Sequence, residues 1–171
     1  MIIFKTSNGQ RFEYPHKLKD ITLKQVRDAI RLSKKIGLKT YTNWMIGLPN
    51  ETLEEIDQTI DLACSLEGLD FANFAVYYPL PSTGFYEMGM KQGLFDDYWR
   101  EYTLNPTDDF ELKAWDYDIS LPVLMDKLNE CFRRFYLRPS KVASLVRNVE
   151  TFEDFKIYCR AGWWLLKEKL K

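Results

Sequence analysis

The sequence is short of the residues that most often do chemistry. It holds one histidine, His16, and three cysteines, Cys64, Cys131 and Cys159, in 171 residues. A lone histidine in a polar stretch leaves no Ser–His or Cys–His pair for nucleophilic catalysis. The cysteines are far apart and match no Cys-x-x-Cys or related ligand spacing, which argues against a zinc site or disulfides and for small buried hydrophobes at all three. There is no phosphate loop of the Walker type. The formal net charge is −1, so no single-sign field invites nucleic acid or an anionic membrane. No apolar run approaches the ~20 residues of a spanning helix, and residues 1–5 lack the shape of a signal peptide. These absences lead us to expect a cytoplasmic protein with no catalytic or metal-ligating residue of its own, no nucleic acid partner and no membrane span.

What is present is apolar and aromatic. A hydrophobic fraction of 46% with 15% aromatics excludes a disordered chain. The length suits one sizeable core with a helical appendage. The centre of the sequence is the stretch 38–81. Residues 38–46 are rich in β-branched and aromatic side chains and read as a strand. Gly47-Leu48-Pro49-Asn50 breaks it. Thr52-Leu53-Glu54-Glu55 is a capping box, in which hydroxyl and carboxylate satisfy each other's backbone N–H groups. The helix it opens carries Leu53, Ile56, Ile60, Ala63 and Leu66 on one stripe and ends at Gly68. Asp57 and Asp61, one turn apart, lie off that stripe and are expected to be exposed. A second strand, 70–78, is nearly continuous in apolar character and is expected to be buried on both faces. Two strands joined by a packing helix must run parallel. Their following turns, 47–50 and 78–83, then share the carboxyl edge, where α/β proteins bind small molecules.

The flanks follow the same logic. Residues 2–6 and 11–14 surround Asn8-Gly9 and predict a hairpin with a type I′ turn, followed by a linker. Thr22-Leu23-Lys24-Gln25 caps a helix with Leu23, Val26, Ala29, Ile30, Ser33 and Ile36 on one stripe, a basic opposite face, and Gly37 as its left-handed terminus. Thr83-Gly84 starts a short helix carrying Phe85, Tyr86, Met88 and Met90 and closed by Gly93. Residues 94–118 lose periodicity and gain aromatics and acids. They read as a packed cover, because the acids match no calcium loop. Ser120-Leu121-Pro122 opens a helix with Leu124, Leu128, Cys131, Phe132 and Phe135 inward, and two further helices follow beyond Pro139. The chain divides into a hairpin and linker (1–19), an α/β unit (20–93), an irregular cover (94–119) and an α-helical tail (120–171).

Three motifs in order carry a resemblance: residues 22–32, then Met45-Ile46-Gly47-Leu48-Pro49-Asn50-Glu51-Thr52, then residues 78–87. Together they resemble the second half of a radical S-adenosylmethionine (SAM) barrel. Phe132-Arg133-Arg134-Phe135-Tyr136-Leu137-Arg138-Pro139 resembles the tail of the subgroup that also carries a cobalamin-binding domain. The resemblance covers residues 20–166. It implies a partial (β/α) barrel with at least two parallel strands, and, in the intact family, SAM, a 4Fe–4S cluster and cobalamin serving methyl transfer or ring formation. By resemblance, Ile46 and Gly47 lie near the adenosyl group of SAM, with Pro79 and Thr83 on the neighbouring loop. The plainer alternative is that all four only shape two turns. Asn50 stands where the family usually has glycine, and asparagine is the next-best residue for positive φ.

The family's cluster needs a Cys-x3-Cys-x2-Cys loop, and this sequence has none. The resemblance therefore implies a C-terminal fragment that supplies part of the SAM pocket and a substrate cover and is inactive alone. Its expected partners are the missing cluster-bearing N-terminal half, or a second copy meeting it through open sheet edges. The alternative is a non-catalytic α/β interaction module derived from that fold.

Overall fold

A computed structural model describes residues 22–147, 149 and 151–167. The expected N-terminal hairpin and linker, with His16, lie outside the described residues. The described chain is α/β: α1 (Leu23–Lys35), β1 (Tyr41–Ile46), α2 (Leu53–Ser65), β2 (Phe71–Val76), α3 (Gly84–Lys91), α4 (Tyr98–Leu104), α5 (Leu121–Tyr136), α6 (Pro139–Arg147) and α7 (Phe152–Lys167). β1 and β2 pair in parallel with Tyr41 opposite Phe71 and Ile46 opposite Val76.

Local chemistry places these elements. Thr22 and Thr52 form the two capping boxes with Gln25 and Glu55, and Thr83 accepts from the Tyr86 N–H to cap α3. Gly37 and Gly68 follow the helix ends with φ of 78° and 86°, in the left-handed region that glycine enters without steric cost. The stretch expected to be irregular contains α4, capped by Asp97, whose carboxylate accepts from the Arg100 N–H. That helix is seven residues long, too short to show a period in sequence.

The core lies on one face of the strand pair. Trp44, Ile46, Ala72, Phe74 and Val76 meet Ile56, Ile60 and Ala63 of α2 and Leu124, Cys131 and Phe135 of α5. Phe74 sits edge-on to Phe132 at 5.5 Å and to Phe135 at 6.2 Å between ring centroids. The other face stays open: Asn43, Met45, Asn73 and Ala75 are exposed. This corrects the expectation that β2 is buried on both faces. Among the described residues helices pack on one side only, so its apolar run alternates between core and solvent. The α2 stripe is buried from Ile56 to Leu66, but Leu53 at its start is exposed. In α1, Ile30 alone is buried and Val26 is half-buried, while Leu23 and Ile36 remain outside, because an apolar stripe needs a facing surface. Cys131 is buried and Cys64 half-buried, as expected of small hydrophobes, but Cys159 is exposed.

Polar contacts seal the amino end of the strands. The Asp70 carboxylate accepts from the Thr40 N–H at 2.8 Å and from the Lys34 ammonium at 3.1 Å. Burial pushes the Asp70 carboxyl up, but these bonds outweigh it and hold the group below its ordinary range. Lys141 of α6 is buried and donates to the Leu69 and Asp70 carbonyls. Arg138 lies 4.5 Å over the Phe135 ring and donates to the Cys64 carbonyl. Asp57 and Asp61, expected to be merely exposed, join α2 to α5 through Lys127 and Arg134.

Tyr136 closes the outer edge of β2. Its hydroxyl accepts from the Ala72 N–H at 3.1 Å and donates to the Ala72 carbonyl at 2.9 Å. Tyr136→Phe leaves both groups without a partner beside a packed helix, and should cost about 1–3 kcal/mol in urea unfolding. An unchanged unfolding midpoint would show that water replaces the hydroxyl freely.

Candidate functional site

The parallel register brings both expected turns to the carboxyl end of the strands. Tyr77 donates its N–H to the Ile46 carbonyl at 2.8 Å, so the chain leaves the sheet at the same level on both strands. In the first turn Gly47 has φ 77° and Asn50 φ 61°. Asn50 thus occupies the left-handed region that its identity suggested. A Cβ on Gly47 would meet Leu124 Cδ1 at 2.9 Å, so glycine here serves the seating of α5 as well as the turn.

The Glu51 carboxylate is the clamp of this turn. Its Oε2 accepts from the Gly47 N–H at 2.7 Å and the Leu48 N–H at 3.1 Å. Burial raises the Glu51 carboxyl above its ordinary value, and the two backbone bonds only partly offset that. In the second turn Pro79 is buried, and its carbonyl accepts from the Tyr98 hydroxyl at 3.3 Å. Ser82 takes φ 62°. Thr83 donates its hydroxyl to the Leu80 carbonyl at 2.6 Å.

The cover segment is fastened to both turns. Trp115 donates its N–H to the Tyr77 carbonyl at 3.3 Å. Asp118 Oδ2 accepts from the Trp115 indole and from the Asn50 N–H, both at 2.9 Å. Leu48, Tyr77 and Trp115 form a second small core, lined by Phe85, Met88, Leu94 and Phe95. Phe95 reaches it because Gly89 has no Cβ; one there would lie 2.5 Å from the ring. Tyr86 donates to Asp97 at 2.7 Å, and burial pushes its phenol up to about 12.

Ile46, Gly47, Pro79 and Thr83 therefore share one end of the sheet, and each is committed locally. The Ile46 side chain is fully buried toward the helices, and its carbonyl is taken by the Tyr77 N–H. The Gly47 N–H is held by Glu51, Pro79 is packed, and Thr83 caps α3. Next to the turns, the open sheet face presents Met45, Ala75 and an in-register amide pair, Asn73 Nδ2 donating to Asn43 Oδ1 at 3.4 Å. Sequence reasoning did not single out Glu51 or Asp118. An acid directly after the Gly-Leu-Pro-Asn turn was a usable signal for the first, whereas Asp118 acts from 68 residues away and left none.

Among the described residues no group of three or more His, Cys, Asp or Glu side chains could hold a metal ion. Burial raises the Cys64 thiol and pushes the Cys131 thiol up to about 12, so both favour the neutral form over a ligating thiolate. No described helix is long and apolar enough to cross a membrane.

No family profile matches the chain. It is similar to an uncharacterized methyltransferase of Pyrococcus horikoshii, 34% identical over 71% of this chain and 25% of the relative. It is also similar to the anaerobic magnesium-protoporphyrin IX monomethyl ester cyclases of Rubrivivax gelatinosus, at 33% identity over 70% of this chain and 20% of the relative, and of Cereibacter sphaeroides, at 28% over 70% and 18%. The chain thus spans a quarter or less of the length of the curated relatives it matches.

The Glu51 clamp has a pH signature. A carboxyl whose folded pKa is raised contributes most to stability below its unfolded value, and that contribution is lost as pH rises through the folded value. Glu51→Gln keeps a neutral acceptor for both N–H groups. The wild type should lose stability relative to this variant as pH climbs from below 4.5 through the elevated pKa of Glu51, measured as paired urea midpoints. A difference that stays flat would mean that the carboxylate is solvated as in water.

Proposed function

We propose that this chain is a C-terminal portion of a cobalamin-dependent type of radical SAM enzyme, and that its two strands belong to a partial (β/α) barrel. The observation that carries the reading is the paired turns at one end of parallel strands, 47–50 with positive φ at Gly47 and Asn50 and 78–83 with positive φ at Ser82. Similarity to a methyltransferase and to two cyclases supports a role in methyl transfer or ring formation.

On this reading the backbone at Ile46 and Gly47 borders the adenosyl group of SAM, and the loop of Pro79 and Thr83 walls the other side. Glu51 holds the first turn in shape, and Asp118 ties the aromatic cover to it. The open face of Asn43, Met45, Asn73 and Ala75 looks into the reaction chamber, while the cover shields the entrance from water. A reduced 4Fe–4S cluster would supply the electron for cleavage of SAM, but the described donor set does not fit it: burial favours the neutral form of two thiols, and Cys159 on α7 joins no group of metal-ligating side chains among the described residues. The cluster belongs to a complementary polypeptide or segment, and cobalamin likewise. No step is assigned to this chain beyond shaping and covering the SAM pocket, and the cytoplasm is the compartment that suits it. A second reading, a non-catalytic module derived from the same fold, draws support from the sealing of the β2 edge by Tyr136 and Lys141.

The experiment is complementation. The chain alone, reconstituted with iron, sulfide and a reductant, should leave SAM intact. Mixed with a polypeptide carrying a Cys-x3-Cys-x2-Cys first half, it should raise 5′-deoxyadenosine formation, and Gly47→Val should abolish that gain. Cleavage by the chain alone overturns the reading, and so does a first half that never responds to it.

A further inference from the structure

The two edges of the β1–β2 pair are not equivalent. Phe71 donates to the Thr40 carbonyl and Tyr77 to the Ile46 carbonyl, which fixes the phase of the ladder. By the two-residue alternation of a strand, Thr42, Trp44 and Ile46 face β2 with their main-chain groups, and Tyr41, Asn43 and Met45 turn theirs outward. On β2 the outward groups include those of Asp70 and Ala72. Lys141 takes the Asp70 carbonyl, and Tyr136 takes both groups of Ala72. On β1 no described residue plays that part: the sheet has two strands, and β1 is bonded to β2 alone.

The free edge also lacks the features that keep edges apart. Residues 41–46 contain no proline and no charged side chain. Tyr41 and Met45 are 61% and 41% exposed, so the strand shows apolar surface beside unpaired backbone. The pattern is self-complementary. If two copies of β1 meet antiparallel about a two-fold axis at Asn43, Tyr41 of each faces Met45 of the other. All the outward residues then fall in hydrogen-bonded pairs that exchange two main-chain bonds each. The side chains agree with this register. Asn43 Oδ1 accepts from Asn73, which leaves the Asn43 amide nitrogen to donate across the axis. The in-register Asn73–Asn43 pair then extends into an amide ladder across the joined sheet.

We propose that the outer edge of β1 binds a second copy of this chain, antiparallel and centred on Asn43, to give a four-stranded sheet in the order β2-β1-β1-β2. The proposal concerns the polypeptide by itself and does not depend on the cofactor reading. A complementary polypeptide of the kind considered above would compete for this same edge.

Sedimentation equilibrium of the full 171-residue chain tests it. The chain should dimerise reversibly. Asn43→Pro removes the central outward donor and leaves the ladder to β2 intact. Met45→Lys puts a charge on the edge opposite Tyr41 of the partner and alters no backbone group, so it serves even if the proline variant fails to fold. Each should weaken the dimer by at least about tenfold, with unchanged far-ultraviolet circular dichroism. Amide exchange at Tyr41, Asn43 and Met45 should slow as concentration rises, while that at Trp44 and Ile46 should not change. A monomer at all concentrations overturns the proposal. So does a dimer indifferent to the folded variants, or protection of the three amides that is independent of concentration.

Discussion

The structure depends on a parallel strand pair that is buried on one face. Parallel pairing cannot be closed by a tight turn, so β1 and β2 need α2 as a crossover, and α2 must bury its stripe on the sheet. α5 then completes the roof through Leu124, Cys131 and Phe135. Burial of the helix face of the sheet supplies the driving force. The opposite face keeps two asparagines and a methionine in contact with solvent. That asymmetry locates the core and exposes the open face beside the turns, and among the described residues β1 pairs with β2 alone.

The two ends of the pair are built for different purposes. At the amino end a buried carboxylate, a buried ammonium and a tyrosine hydroxyl satisfy main-chain groups that packing would otherwise strand. This is cementing: Asp70 ties α1 to the approach of β1, and Lys141 and Tyr136 tie α5 and α6 to β2. At the carboxyl end the polar groups hold turns rather than helices. Glu51 clamps the first turn from within, and Asp118 fastens the cover to it from outside. Three residues with positive φ in two adjacent turns, Gly47, Asn50 and Ser82, bring backbone rather than side chains to that surface. With the Gly47, Leu48 and Asn50 N–H groups held by Glu51 and Asp118, such a surface suits recognition by shape.

A chain with one histidine and three separated cysteines is similar to a methyltransferase and to two cyclases over about 70% of its length. The described residues present strand ends, a clamped turn and an aromatic cover. Of the chain's thiols, Cys64 and Cys131 are drawn into the protein, where the neutral form is favoured, and Cys159 is exposed.

Local chemistry was readable without coordinates. Both capping boxes, a strand expected over 38–46 and found over Tyr41–Ile46, the parallel relation of β1 and β2, the helix that starts at Thr83 and the left-handed Asn50 follow from residue types a few positions apart, because caps, turns and crossovers are short-range physics. What tertiary structure alone decided is which faces acquire neighbours. The apolar run of β2 is equally compatible with one buried face or two, and only the placement of helices on a single side settles it. The same holds for Leu53 and Ile36, whose stripes are correct in period but lack a facing surface. Asp57, Asp61 and Arg134 carry charges whose partners sit some seventy residues away, as does the Asp118 bond to the Asn50 N–H. Period and spacing encode how each segment folds on itself; contacts across such distances arise only once the segments have packed.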